Sequence, residues 1–155
     1  RFLIGTGADG QTSDRVRSGL DAQIWPLIAL HEPPKDWRRV FAFIDHAHRA
    51  GEGYGFNRDP DGLWTEGTAQ AAAVARLSGL SEKAQPLWSV LLAQQAGNGW
   101  LFATPQARIS TGLAIGPDSV SNDFFYYHLP HLGATAWAAI AATGVNPFTG
   151  SQEAD

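Results

Sequence analysis

The chain contains no cysteine and no methionine among its 155 residues. Without cysteine it has neither disulfides nor thiolate metal ligands, and it cannot use a cysteine nucleophile. This absence leaves the compartment open, because cytoplasmic, periplasmic and secreted proteins can all lack cysteine. The sequence starts at Arg1 and runs at once into the apolar residues Phe2, Leu3 and Ile4. From this start and the missing methionine we expect a processed or truncated piece, the C-terminal part of a longer polypeptide.

Clustered positive charge and long apolar runs are also scarce. The net charge is −4, and of the 11 Lys and Arg residues only Arg38 and Arg39 are adjacent. Proteins that bind nucleic acids usually cluster their basic residues, so we expect no nucleic-acid partner. No apolar run approaches the roughly 18 residues that a membrane-spanning helix needs, so we expect no membrane span. The length predicts one domain, 1–155, or a fragment of a larger domain.

The chain does contain a weak internal repeat of three segments rich in small residues. Aligning Ala22, Ala69 and Ala136 brings the segments into register, with spacings of 47 and 67 residues. Each segment follows a glycine-rich loop. Periods of this size are typical of stacked supersecondary units, since one unit cannot bury its own apolar face. The repeat therefore predicts that functional residues lie on loops that open at one end of the stack.

Apolar periodicity predicts an all-α fold of helical hairpins. The first helix is expected to begin at Leu20, where Ser18 and Asp21 have the spacing of a capping box, and to end before Pro33. The other helices are expected at 36–50, 65–79, 81–96 and 133–143. The long loops between them, in which we expect the functional face, are 5–19, 51–65 and 97–131.

Four short motifs carry a resemblance to a known family. They are Leu20-Asp21-x-Gln23-x-Trp25-Pro26, Gly62-x-Trp64-x-Glu66-Gly67-Thr68-Ala69-Gln70, Gln94-Gln95-x-Gly97-x-Gly99, and Thr135-Ala136-Trp137 followed by Asn146-Pro147-Phe148. With these motifs most of the chain resembles bacterial (α/α)-barrel proteins of the six-hairpin glycosidase type. The resemblance implies an (α/α) toroid, here an incomplete barrel that another chain or the missing part of the polypeptide completes. It also implies an oligo- or polysaccharide substrate and a function like that of glycoside hydrolases.

Two other functions stay open. One is a non-catalytic glycan-binding or assembly module, in which aromatic side chains hold sugar and carboxylates only cap helices. The other is a terpenoid-cyclase-like toroid, because residues 94–100 resemble the glutamine–tryptophan repeat of those enzymes with a spacing that departs by one residue. The chain has no Asp-x-Asp-Asp segment, which disfavours this second alternative.

Glycoside hydrolysis needs two carboxylates across the scissile bond, about 5 to 10 Å apart. Glu66 is the first candidate, because it stands beside Trp64 at the start of a helix that follows a long loop. The helix dipole there would keep its pKa low, which suits a base or nucleophile. A first-turn carboxylate can equally bond free backbone amides or bind substrate, so all three roles stay open for Glu66.

The partner carboxylate is expected to be Asp21 or Asp61, with Asp9 and Asp123 as further candidates. Asp21 stands one residue before the alanine that the repeat aligns, which favours a place at the same end of the stack. Helix capping explains Asp21 equally well. Asp61 and Asp9 each precede glycine, and Asp-Gly is an ordinary turn dipeptide.

Aromatic and polar side chains near the loops are candidates for binding sugar, since sugar rings pack on aromatic faces. The candidates are Trp64, Gln70, Trp100, Tyr126, Tyr127, His128 and His131. For the aromatic residues, simple anchoring of a loop is the alternative role. For the two histidines it is structural hydrogen bonding. Trp25, Trp88 and Trp137 fall at helical spacing and are expected in the core.

One loop partly matches a calcium-binding pattern. Asn57, Asp59 and Asp61 with Gly62 fit the first half of a D-x-[DN]-x-[DN]-G loop, in which alternate oxygens converge on the cation. The glutamate required at the twelfth position is Thr68 in this chain. We therefore expect no metal and no cofactor, with calcium as a minor alternative.

Overall fold

The computed structural model describes residues 1–11, 13, 15–59, 61–116 and 124–152. The described part contains six α-helices, one 3₁₀ helix and two antiparallel two-stranded sheets, β1 with β2 and β3 with β4. In chain order the elements are α1 (Leu20–Ile24), α2 (Pro26–Ala29), the 3₁₀ helix (Lys35–Arg39), α3 (Val40–Ala47), β1 (Arg49–Ala50), β2 (Gly53–Tyr54), α4 (Thr65–Leu77), α5 (Ser81–Leu92), β3 (Arg108–Ser110), β4 (Phe125–Tyr127) and α6 (Leu132–Thr143). None of the helices in these ranges has the length and apolar character to cross a membrane.

The prediction of an all-α toroid is wrong. The fold is mixed α/β, with 42% of the structure helical and 13% in strands. The loops at 51–65 and 97–131 contain strands that helical periodicity does not predict, because each strand is only two or three residues long. The glycosidase-type resemblance and the terpenoid-cyclase alternative both implied this toroid, so the fold supports neither, and both stay predictions about function.

The two sheets occupy segments that the sequence predicts to be helix or loop. The helix expected at 36–50 ends at Ala47, and the chain then forms the hairpin of β1 and β2. Gly51 turns this hairpin with a φ of 59°, a left-handed conformation that glycine adopts without steric cost. In the second sheet Ile109 pairs with Tyr126, and Ile109 is buried. The second sheet thus brings Tyr126 to the protein core.

The first expected helix is two short helices. Pro26 has no backbone N–H, and it stands at the first position of α2, where that donor is not needed. The expected capping box at Ser18 and Asp21 is also wrong. Gly19 is the N-cap of α1 and no side chain caps the helix, while the Ser18 hydroxyl is hydrogen-bonded to His48.

The longest helix, α4, is the centre of the core. Ten of its 13 residues are buried, and it contacts α1, α5 and α6. Its alanines let the neighbouring helices approach closely. At its start the ring of Trp64 covers Gly67, where an added Cβ would lie 2.1 Å from Trp64 Cε3. This packing fixes the N-terminal turn of α4, which carries Glu66.

Candidate active site

The carboxylate of Glu66 lies between α4 and α6. Glu66 is the second residue of α4, and its side chain is 17% exposed. Its Oε1 accepts a hydrogen bond from Gln70 Nε2 at 3.3 Å, and its Oε2 lies 3.6 Å from His131 Nδ1. Gly133, the second residue of α6, leaves the space that the carboxylate occupies, since a Cβ there would lie 2.5 Å from Glu66 Oε2. Gln70 thus donates a hydrogen bond to Glu66, and the carboxylate also lies against His131 and Gly133.

A chain of hydrogen bonds continues behind Glu66. Gln70, one turn further along α4, is 1% exposed, and its Oε1 accepts from Trp25 Nε1 at 3.1 Å. The amide nitrogen of the same side chain donates to Glu66. Gln70 thus uses both ends of its carboxamide on protein neighbours. The hydrogen bond from Gln70 orients the Glu66 carboxylate. Binding of substrate by Gln70 stays a prediction.

Burial raises the pKa of Glu66 above its usual range. The nearby charge of Asp21 raises it further, and the hydrogen bond from Gln70 opposes these effects in part. The sequence-based expectation of a low pKa is therefore wrong, because removal from water outweighs the helix dipole. The same electrostatic effect places Asp21, in the first turn of α1, in the surroundings of Glu66. One Asp21 oxygen accepts from the Ala22 backbone N–H at 2.7 Å.

Tyr126 forms the aromatic wall of this site. Its ring centroid lies 5.7 Å from that of Trp64 and 5.3 Å from that of His131, to which it is perpendicular. Burial raises the pKa of Tyr126 to about 12, and the charges of Glu66 and Asp21 add to the shift. Trp64 Nε1 is buried without a hydrogen bond of normal geometry, yet it lies close enough to favour the ionised Tyr126. The Tyr126 hydroxyl therefore shares its surroundings with both carboxylates.

His131 caps α6 beside Glu66. Its Nδ1 accepts from the Ala134 backbone N–H at 3.2 Å, which requires that this nitrogen carry no proton. Burial lowers the pKa of His131, so the neutral ring is favoured. A neutral imidazole supplies no positive charge to lower the pKa of Glu66. The site therefore keeps a protonated carboxyl more readily than an ordinary surface glutamate does.

Four other candidates from the sequence are engaged elsewhere in the fold. Asp61 accepts from the Ser110 backbone N–H at 2.5 Å and so ties its loop to β3. Tyr127 follows Tyr126 on β4, so it points to the other face, where it contacts Phe125. His128 and Trp100 belong to two different turns. His128 Nδ1 lies 2.7 Å from the Thr104 carbonyl oxygen, and Trp100 is exposed in the segment between α5 and β3.

Asp9 and the calcium pattern also make hydrogen bonds within their own loops. Asp9 accepts from the Gln11 backbone N–H, Asp123 lies outside the described residues, and Asn57 Oδ1 accepts from the Asp59 backbone N–H at 2.7 Å. Among the described residues no group of three or more His, Asp or Glu side chains is placed to hold a metal ion. Calcium binding at Asn57, Asp59 and Asp61 stays a prediction.

Two surface depressions adjoin the site. A cavity of about 530 Å³ is lined by Ser18, Asp21, Phe56, Arg58 and Leu113 among others, and will be called the Asp21 cavity. A shallower apolar depression of about 410 Å³ is lined by aromatic rings, with Trp25, Trp37 and Phe148 on its walls, and will be called the aromatic depression.

The sequence does not predict the aromatic depression. Trp25 was expected in the core, but it is only partly buried and stacks on Trp137 at 5.9 Å. Trp37 and Phe148 are not among the binding residues that the sequence predicts. The signal that was present is the unusual content of six tryptophans in 155 residues.

Comparisons of the chain with family models, with curated proteins and with solved structures gave no match. The resemblance to six-hairpin glycosidases thus stays a prediction. Any proposal about function depends on the geometry of the site.

Proposed function

We propose that this protein is carbohydrate-active and hydrolyses glycosidic bonds with Glu66 and Asp21. The supporting observation is that one carboxyl group of raised pKa shares its surroundings with a second carboxylate. Glycoside hydrolysis uses such a pair, in which the group of raised pKa protonates the leaving oxygen. Glu66 then acts as the general acid. Asp21 acts as the second carboxylate, which activates water or attacks the anomeric carbon.

The neighbouring side chains suit a sugar substrate. The partly buried ring of Tyr126 packs near the carboxylates, and sugar C–H groups pack well on aromatic faces. The Asp21 cavity of about 530 Å³ has the size of a small-ligand pocket. The Tyr126 hydroxyl keeps its proton at neutral pH, because its pKa is raised to about 12, and it can donate a hydrogen bond to a sugar oxygen. An oligo- or polysaccharide is therefore the substrate class that we propose.

The direct test is hydrolysis of a panel of aryl glycosides and oligosaccharides by wild type and Glu66→Gln. We expect kcat to fall by about 10²- to 10⁴-fold, the usual contribution of general acid–base catalysis, with binding retained. Glu82→Gln is the matched control, because Glu82 is also the second residue of its helix but is exposed. Equal turnover by wild type and Glu66→Gln would contradict the proposal.

The second candidate is a glycan-binding module without catalysis. It is favoured by the aromatic depression, because a surface of Trp25, Trp37 and Phe148 is the kind on which sugar rings stack. In this case wild type and Glu66→Gln bind the same oligosaccharides by calorimetry and neither releases product. Trp37→Ala then weakens binding by about 10-fold or more, since one stacked aromatic ring contributes on the order of 1 kcal/mol or more.

A further inference from the structure

A second reactive pair lies outside the Glu66 site. Ser18 Oγ and His48 Nε2 are 2.8 Å apart, although 30 residues separate them in the sequence. Ser18 directly precedes the N-cap of α1, and His48 is the C-cap residue of α3. The two residues are 5% and 2% exposed. A serine hydroxyl within hydrogen-bond distance of an imidazole is the arrangement that activates serine as a nucleophile.

The serine of this pair stands at the wall of a cavity. Ser18 lines the Asp21 cavity together with Phe56, Arg58, Thr111 and Leu113. A volume of about 530 Å³ accommodates a small organic molecule. His48 lies behind Ser18, away from that cavity lining and almost fully buried. A molecule in the cavity would therefore meet the serine oxygen before it met the imidazole.

The imidazole of His48 is neutral at ordinary pH and so has a free lone pair, although its lowered pKa makes it a weaker base than an ordinary histidine. Burial lowers the pKa of His48 to about 4, and the charge of Arg58 lowers it as well. Backbone groups of Gly55 and Asn57 oppose this shift by favouring the protonated ring. These backbone groups would support the imidazolium that forms when a proton arrives from serine.

The second ring nitrogen of His48 faces a partly satisfied environment. His48 Nδ1 is buried and has no hydrogen-bond partner of normal geometry. A buried polar atom without a partner costs about 1 to 3 kcal/mol. The backbone groups of Gly55 and Asn57 that favour the protonated ring lie near it, so they can hold the imidazole in the orientation that directs Nε2 toward Ser18.

We propose that Ser18 and His48 form a nucleophile–base pair that hydrolyses small carboxylic esters bound in the Asp21 cavity. Ser18 Oγ bonds to the carbonyl carbon while its proton passes to His48 Nε2 and the carbonyl π electrons move to oxygen. Collapse of this intermediate breaks the ester C–O bond, and the Nε2 proton goes to the leaving alcohol. Water then attacks the acyl-serine in the same way, which releases the carboxylic acid and restores Ser18. Arg58 in the cavity wall attracts the transient oxyanion.

The test uses a fluorophosphonate probe, which forms a stable bond only with an activated serine. We expect one adduct by intact-mass spectrometry, mapped to Ser18 by peptide analysis, and none in Ser18→Ala. His48→Gln should slow labelling by about 100-fold or more, the lower range of general-base effects. Ser78→Ala is the matched control, because Ser78 is similarly buried, and it should label like wild type. Hydrolysis of p-nitrophenyl acetate should follow the same order.

The inference is overturned if folded wild type, checked by circular dichroism, forms no adduct or carries the label on another residue. Labelling of folded His48→Gln at the wild-type rate would overturn the role of His48. The mapping of the wild-type adduct needs no variant, so it decides the role of Ser18 even where His48→Gln fails to fold. Neither readout involves glycoside hydrolysis, so these outcomes are independent of the proposed function of Glu66.

Discussion

Glu66 and Glu82 hold the same position in their helices, the second residue of α4 and of α5. Glu82 is exposed, whereas Glu66 is largely buried against α6 and lies close enough to Asp21 of α1 to feel its charge. The pKa of a carboxyl group depends on burial more than on its position in a helix, because desolvation disfavours the charged form. Candidate catalytic residues in this chain are thus distinguished by their surroundings, which come from distant parts of the sequence.

The raised pKa of Glu66 predicts how stability depends on pH. At a pH between the ordinary pKa of a glutamate and the raised value, the folded state holds more protons than the unfolded state. The free energy of unfolding therefore falls as the pH rises through this interval, and the loss is complete above the raised pKa. Glu66→Gln removes the ionisation, so we expect it to be more stable than wild type at pH 7, with the difference lost toward pH 4.

Urea unfolding at several pH values between 4 and 8 measures this difference. Glu82→Gln, at an exposed position, should stay within about 0.5 kcal/mol of wild type throughout. If Glu66→Gln is less stable than wild type at pH 7, the carboxylate is stabilised by its surroundings and the account of its pKa is wrong.

Gly133→Ala separates the position of Glu66 from the stability of the fold. An alanine suits a helix better than glycine by about 0.5 to 1 kcal/mol. The added Cβ would lie 2.5 Å from Glu66 Oε2, so the flexible end of the Glu66 side chain must move. We expect little change in the free energy of unfolding, but a fall in glycoside hydrolysis of about 100-fold, typical of an ångström-scale misplacement.

Gly97→Ala is the matched control for this substitution, because its added Cβ meets no atom within 4 Å. It should hydrolyse substrate at the wild-type rate. Full activity of Gly133→Ala would show that the observed position of the Glu66 carboxylate is not needed for catalysis.

At the scale of elements, Arg76 joins two helices. From the last turn of α4 its Nη1 donates to the carbonyl oxygens of Ala141 and Ala142 at 2.9 and 2.6 Å, near the C-terminal end of α6. A positive charge at a helix C-terminus is favourable, and charge-assisted hydrogen bonds contribute about 1.5 to 3 kcal/mol. We expect Arg76→Met to lower the free energy of unfolding by about 1 to 3 kcal/mol in urea titrations.

The control for Arg76→Met is Arg39→Met, at an exposed position in the 3₁₀ helix, which should change stability by less than about 0.5 kcal/mol. Equal effects of the two substitutions would contradict a specific role of Arg76 at the end of α6.

The sequence predicts these helices much better than it predicts the strands. Helix α6 was expected at 133–143 and occupies Leu132–Thr143, with Gly144 in the left-handed conformation that ends it. Helices α4 and α5 also begin at the expected residues, Thr65 and Ser81, although no side chain caps either helix. Strands of two or three residues are too short to show alternation, and they form because the chain pairs with itself across a turn or a long loop. Their pairing depends on tertiary contacts.

At the scale of the whole molecule, the site combines residues that are far apart in the chain. Asp21, Glu66 and Gly133 each stand second in their helix, so the first turns of α1, α4 and α6 face one another. The repeat predicted that equivalent ends would meet, and the pair Glu66 and Asp21 was among the expected carboxylates. The sequence could not show that Asp61 ties down β3 instead, or that burial raises the pKa of Glu66. Both effects arise only in the packed fold.

Native-state hydrogen exchange tests the central place of α4. Its amides should exchange slowest and only through global unfolding, because α4 is buried along most of its length. The amides of the exposed segment 5–11 should exchange fastest. Slower exchange in α5 than in α4 would contradict this account of the core.

The account depends most on the shared surroundings of Glu66 and Asp21, which an NMR titration of the Glu66 side-chain carboxyl carbon measures without any substrate. We expect a pKa above the ordinary value of 4.5 in wild type, because of burial and the charge of Asp21. In Asp21→Asn the pKa should fall but stay above 4.5, since burial is the larger cause. An ordinary pKa in wild type, or one that Asp21→Asn leaves unchanged, would contradict the proposed pair of catalytic carboxylates.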